Sequence, residues 1–339
     1  MDRKYDVITL GEILLRLSTP INGRLAQGDT LMKHLGGAEL NIASEIGQLG
    51  LKTAMISKIP NNLLAAFIKN QMNASRVSEN YLISDTADDS RIGVYYYEYG
   101  SYPRKPRVVY DRKHSSINNI DIKDVPETMF YNTRLFHTSG ITLGLGGNAQ
   151  KCAIECIRKF KEQGTLISFD VNYRANLWTG EEARACIEQI LPYVDIFFCS
   201  EDTARLTFGK TGTIEEIQKS FCEEYPISVV ASTERTVITP KKHNFTSIIY
   251  SAKNDSYYRE EPYNNIDVVD RIGSGDAYVS GALYGYLKHK DCRKELEYGN
   301  AMAAIKHSVI GDMITTDLEE IDSIIAEHKN TGYHSEMNR

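Results

Sequence analysis

Short apolar runs alternate along this chain with stretches in which apolar residues recur every three or four positions. Tyr5 to Leu10 predicts a buried strand ending at Gly11 and Glu12. Further strands are predicted over 53–59, 135–139, 166–170, 196–199 and 227–231. Between them the spacing predicts helices over 38–49, 63–72, 149–163 and 181–191, with Gly50 and Gly164 as stops. Segments 91–99 and 107–112 alternate, are rich in tyrosine and are joined by a proline-containing turn, which predicts an antiparallel hairpin. Two more hairpin-like strands fall near 246–250 and 256–260, and helices near 276–289, 294–308 and 318–328. Strand–helix alternation predicts an α/β class with a mostly parallel sheet covered on both faces. The aromatic hairpin interrupts that rhythm and predicts a small appended sheet acting as a lid. Residues 330–339 are polar and predict a frayed tail.

The most distinctive stretch is Asp270-Arg271-Ile272-Gly273-Ser274-Gly275-Asp276, running into a small-residue helix. Glycine permits positive φ and close approach of backbone to a ligand. A helix N-terminus offers unpaired N–H groups and the positive end of the macrodipole. Together they predict an anion site suited to a phosphoryl group, with Asp276 placed to take a proton from an attacking hydroxyl. The plain alternative is a glycine-rich turn with a first-turn aspartate. Val279, Leu283, Tyr286 and Leu287 share one helical face, which would anchor the loop rigidly.

Composition changes this picture little. Among 339 residues, 42% are hydrophobic and 25% charged, with a formal net charge of −6. That leaves no basic footprint for nucleic acid, and no apolar run reaches membrane-spanning length. The six cysteines form no Cys-x-x-Cys pair, so reduced thiols in a soluble, unprocessed cytoplasmic protein are expected. Gly209-Lys210-Thr211 lacks the leading glycine of a phosphate loop. Gly144 to Ala149 fits a dinucleotide fingerprint only loosely, because the strand breaks at Ser139-Gly140 well before it.

Several segments, in order, resemble one family. Asp270 to Asp276 resembles the signature of PfkB-type, ribokinase-like carbohydrate kinases, and Gly36-Gly37-Ala38-Glu39-Leu40-Asn41 resembles their sugar-site segment. Asp170-Val171-Asn172-Tyr173-Arg174, Ser139 to Thr142 and Lys306 to Asp312 are closest to the 2-keto-3-deoxygluconate kinases. The resemblance spans Gly11 to about Asp312. It implies a three-layer α/β/α sandwich over 1–329, with lid strands from about 13–36 and 90–115.

The resemblance also implies roles. Asp276 matches the catalytic base, and Gly273, Ser274 and Gly275 match the anion hole. Arg174 matches the arginine that meets the acid's carboxylate, a task for which a guanidinium fork is suited. Gly37, Asn41, Tyr95, Tyr110, Arg112 and Asp312 match positions lining the sugar acid, and the lid matches a frequent dimer interface. By residue type alone, Arg174 fits an ion pair with Asp170 or Asp195 as well, Tyr95 and Tyr110 fit ordinary strand positions, and Asn41 fits a packed helix residue. The nucleotide end departs from the pattern. Thr203 stands where relatives carry an acid, so either Glu201 or Asp202 serves Mg²⁺ through water or neither does. Ser232-Thr233-Glu234-Arg235-Thr236 replaces a Gly-x-x-Gly, so Arg235 either meets ATP phosphates or pairs Glu234. Ser232, Arg235 and Asn300 are the expected nucleotide contacts. The implied activity is Mg·ATP-dependent phosphorylation of 2-keto-3-deoxygluconate at its terminal hydroxyl. The alternatives are another sugar (fructose, ribose or a deoxygluconate) or a non-catalytic sugar sensor.

Overall fold

A computed structural model describes residues 3–330. The expected tail lies outside these residues apart from Asn330. The first half of the chain runs β1 (Tyr5–Leu10), β2 (Leu14–Ser18), β3 (Met32–Gly36), α1 (Ala38–Gln48), β4 (Thr53–Pro60), α2 (Leu63–Ala74), β5 (Val77–Ser78), β6 (Leu82–Asp85), β7 (Gly93–Glu98) and β8 (Arg107–Asp111). It continues with β9 (Thr133–Ser139), α3 (Gly140–Gly144), α4 (Gly147–Glu162), β10 (Leu166–Asp170), α5 (Gly180–Ile187), β11 (Ile196–Phe198), α6 (Glu201–Phe208) and α7 (Ile214–Glu224). Last come β12 (Val229–Thr239), β13 (Lys242–Ser251), β14 (Ser256–Arg259), β15 (Tyr263–Asp267), α8 (Ser274–His289), α9 (Cys292–Ser308) and α10 (Leu318–Lys329).

The main sheet has the order β14-β13-β12-β11-β10-β9-β1-β4-β5, with β15 on β13 and β6 on β4. Its strands are parallel from β4 through β12 and antiparallel beyond. Strand alternation feeds two cores. Phe197 packs with Ile157, Phe169 and Phe221 on one face, while Ile196 and Phe198 pack with Tyr278, Leu283 and Met302 on the other. This is the ribokinase-like three-layer sandwich expected from the sequence. The lid is a separate sheet in the order β3-β2-β7-β8, with β2 parallel to β7.

Some elements differ from expectation for local reasons. The helix expected to reach residue 191 stops at Ile187, and a 3₁₀ turn over Leu191–Tyr193 follows around Pro192. Helix α7 was not anticipated, although Thr213 and Glu216 form a capping box ahead of buried Ile214, Ile217 and Phe221. β12 runs past residue 231 to Thr239 and pairs there with β13, its last five residues exposed although Val237 and Ile238 are apolar.

Candidate active site

The C-terminal ends of the parallel strands and the N-terminus of α8 enclose a cleft of about 640 Å³. Its floor is the signature loop. Gly273 has φ +84°, and a Cβ there would lie 1.9 Å from the carbonyl oxygen of Asp312, so only glycine fits. No side chain caps α8. At Gly275 a Cβ would meet nothing within 4 Å, so this backbone faces open space in the cleft. The arrangement is a cradle of uncapped backbone dipoles at a helix N-terminus.

Asp276 sits in the first turn of α8 and is nearly buried. Asn41, from the first turn of α1, donates through Nδ2 to Asp276 Oδ2 at 2.6 Å, and Asn172 Nδ2 lies 3.5 Å from Oδ1. Burial pushes the Asp276 carboxyl up to about 6, against the pull of the Asn41 hydrogen bond and the Arg174 charge. Asp170, below it, is pushed up to about 7 by burial and by the charge of Asp276. Asn172 holds φ +36° while its N–H donates to Asp170 Oδ1 at 3.0 Å, a local turn that aims the loop carrying Arg174.

The wall beside α1 and the lid brings together the residues expected to meet a sugar acid. Gly37 has φ +120°, and a Cβ there would sit 2.1 Å from the Glu12 carbonyl oxygen. Tyr95 donates its hydroxyl to both Asp312 oxygens at 2.5 and 2.6 Å, and its ring lies 5.9 Å from that of Tyr110. Arg112 lines the cleft but already pairs with Glu12, whose other oxygen accepts from Ser115. Arg174 is exposed in the cleft and donates only to carbonyls of its own loop, at 3.0 Å to Tyr173. The two alternative partners are engaged elsewhere: Lys161 takes Asp195 at 2.7 Å, and Asp170 accepts from the Asn172 N–H. Among the described residues, Arg174 has no carboxylate partner.

The far end of the cleft is lined by Ser200, Asp202, Thr233, Arg235, Phe245 and Arg271. Three sequence expectations change here. Ser232 faces away because strand alternation turns it inward, where its hydroxyl donates to the Cys199 carbonyl at 2.7 Å. Thr233 takes the cleft-facing place. Asn300 is fully buried, accepting from Ser247 and donating to Glu260, with no atom in the cleft. Glu201 is turned to Arg205 at 2.9 Å, leaving Asp202 as the acid that faces the cleft. Glu234 pairs with Arg259 at 3.3 Å rather than with Arg235. A second cavity of about 800 Å³ adjoins the cleft between lid residues 97–106 and the β12–β13 hairpin, and shares Arg235 and Arg271 with it. Among the described residues, no group of three or more His, Cys, Asp or Glu is placed to hold a metal.

Sequence reasoning missed Arg16, Asn172 and Arg271. Arg16 had a signal: it is a lone charge inside the apolar run Ile13 to Leu17. All six cysteines are free. Among the described residues no helix is long and apolar enough to cross a membrane.

Comparison with known proteins agrees with this geometry. The model of the pfkB family of carbohydrate kinases matches residues 4–318. A 2-dehydro-3-deoxygalactonokinase of Haloferax volcanii is 29% identical over 320 residues, covering 94% of this chain and 96% of the relative. A 5-dehydro-2-deoxygluconokinase of Clostridium perfringens is 28% identical over 335 residues, covering 96% of this chain and 94% of the relative. The crystal structure of a 2-dehydro-3-deoxygluconokinase from Thermotoga maritima superposes with a TM-score of 0.89 at 31% identity, covering 95% of this chain and 99% of that one. With the family model spanning nearly the whole chain, and an uncapped helix N-terminus set beside a buried aspartate, the protein belongs to the pfkB carbohydrate kinase family and is an ATP-dependent sugar kinase.

Proposed function

We propose that the chain transfers the γ-phosphoryl group of ATP to the terminal hydroxyl of 2-keto-3-deoxygluconate, giving 2-keto-3-deoxy-6-phosphogluconate and ADP. The observation that carries this reading is Arg174, a guanidinium facing the cleft with no carboxylate partner among the described residues. A neutral sugar leaves that charge unmatched, whereas a sugar acid supplies a bidentate partner. Arg112 is committed to Glu12 and acts on the acid at most through its remaining N–H groups.

With the carboxylate on Arg174, the far end of the acid reaches towards Asp276. Asp276 removes the hydroxyl proton as the new O–P bond forms and the bond to the β-phosphate oxygen breaks. The uncapped N–H groups of α8 take the charge on the transferring group. Arg235 and Arg271, which have no carboxylate partner among the described residues, meet the remaining phosphates. The base then points into the adjoining cavity between lid and hairpin. Mg²⁺ would travel with the phosphates and water, with Asp202 the acid in reach, and would neutralise phosphate charge.

The test is coupled ADP release with Mg·ATP against 2-keto-3-deoxygluconate, its galacto epimer, 5-dehydro-2-deoxygluconate, gluconate, fructose and ribose. Preference for the first supports the reading. Preference for the epimer, in line with the Haloferax relative, keeps the role of Arg174 and changes one hydroxyl contact. Turnover of a neutral sugar alone removes the carboxylate argument.

A further inference from the structure

Beneath the signature loop lies Arg16, a fully buried guanidinium that comes from the lid. It projects from β2, pairs with Asp270 at the head of the signature, and reaches Asp312 at 2.8 Å. Its Nη2 also donates to the Tyr99 hydroxyl of the lid at 3.0 Å, and the group stacks 4.5 Å from the ring of Tyr97. The two carboxylates are themselves tied to the catalytic loop. Asp270 Oδ1 accepts from the Ile272 N–H at 3.1 Å, and the Asp312 carbonyl is the atom that forbids a Cβ at Gly273. Buried Lys306 donates to the backbone carbonyl of Asp270 at 3.1 Å, a further tie beneath the loop. One rigid fork thus touches the lid and both supports of the anion cradle.

We propose that Arg16 is a positioning residue that couples the seating of the lid to the alignment of Gly273–Asp276, so that phosphoryl transfer is competent only when the lid is correctly placed. A planar fork can hold two carboxylates at once, whereas an ammonium ion holds one strongly and cannot fix the angle between them. Displacing reacting groups by about 1 Å costs on the order of 10²-fold in rate. The inference rests on the kinase chemistry of the cleft and not on which sugar acid is the substrate.

The test compares Arg16→Lys and Arg16→Met with Arg134→Ala, which removes a surface ion pair to Asp6 away from the site. Turnover is measured per folded molecule with Mg·ATP and 2-keto-3-deoxygluconate, together with hydrogen exchange over residues 268–276. Arg16→Lys is expected to fold, to lose roughly 10- to 100-fold in kcat with a smaller change in KM for ATP, and to exchange faster across the loop. A merely structural role would lower the melting temperature and speed exchange across the protected sheet as much as across the loop, with kcat per folded molecule as in wild type, which would overturn the proposal. If Arg16→Met does not fold, Arg16→Lys decides alone. If wild type does not turn over this acid, the substrate reading fails, and hydrogen exchange in Arg16→Lys still decides the coupling.

Discussion

Asn41 and Asp276 stand 235 positions apart in the chain, yet Asn41 Nδ2 donates to Asp276 Oδ2 at 2.6 Å. The contact joins the first turn of α1 to the first turn of α8, and it favours the ionised form of a carboxyl that burial pushes up to about 6. As the proposed base, Asp276 must be ionised to act, so kcat/KM for the sugar acid is expected to rise with pH through about 6 and then level. Asn41→Ala removes a donor to the carboxylate, and the acid limb should move to higher pH. A pH–kcat/KM profile of both enzymes checks this; superimposable limbs would show that the contact does not tune the Asp276 carboxyl.

Asp276→Asn separates catalysis from stability. Loss of a general base should lower kcat by about 10²–10⁴-fold with little change in KM. The effect on folding has the opposite sign. Folded Asp276 keeps its proton to about pH 6, above the ordinary value of 3.8, so ionisation costs folding energy that appears as pH rises between these values and persists above them. The asparagine variant should therefore be more stable than wild type at pH 7, by on the order of 3 kcal/mol, and no more stable near pH 4. Denaturant melts at the two pH values read the difference directly.

The signature glycines divide into two kinds. Gly273→Ala forces a Cβ to within 1.9 Å of the Asp312 carbonyl at φ +84°, so it should destabilise the fold by about 1–3 kcal/mol. Gly275→Ala meets no protein atom within 4 Å and should melt with wild type. Its methyl group instead intrudes where a phosphoryl group would rest, so kcat/KM for ATP should fall by roughly 10- to 100-fold. Paired melting curves and kinetics distinguish a glycine kept for the fold from one kept for the ligand.

Asp276 and the glycines before it were legible in the sequence because the loop and its helix are contiguous. The sheet was legible for a similar reason: Ile196, Phe197 and Phe198 are apolar on both faces, as buried parallel strands must be. What escaped was non-local or depended on a single register step. Arg16 meets Asp270 across 254 positions and Asp312 across 296, separations that no local pattern encodes. Ser232 and Thr233 differ only in which side of β12 they occupy, and a motif match cannot resolve that alternation. Asn300 was expected to meet the nucleotide, but Ser247 and Glu260, from segments remote in sequence, consume its hydrogen-bonding groups.

The two arginines expected to share the acid's carboxylate should behave differently. Arg174 is exposed and without a carboxylate partner among the described residues, so Arg174→Ala should leave the melting temperature nearly unchanged. It should raise KM for the sugar acid by roughly 10- to 100-fold, the worth of a charge-assisted hydrogen-bonded pair, and flatten preference over the neutral sugar. Arg112 is largely buried and tied to Glu12, whose carboxyl burial already pushes up against the pull of that arginine. Arg112→Met would leave Glu12 buried without its cation, and stability should fall by about 3–5 kcal/mol unless the carboxyl takes up a proton. Its loss of activity should therefore track loss of folded protein, while that of Arg174→Ala appears chiefly in KM at a pH where Asp276 is ionised. The same loss of discrimination in folded Arg112→Met would mean that the acid draws Arg112 away from Glu12 on binding, and that both guanidinia hold the carboxylate.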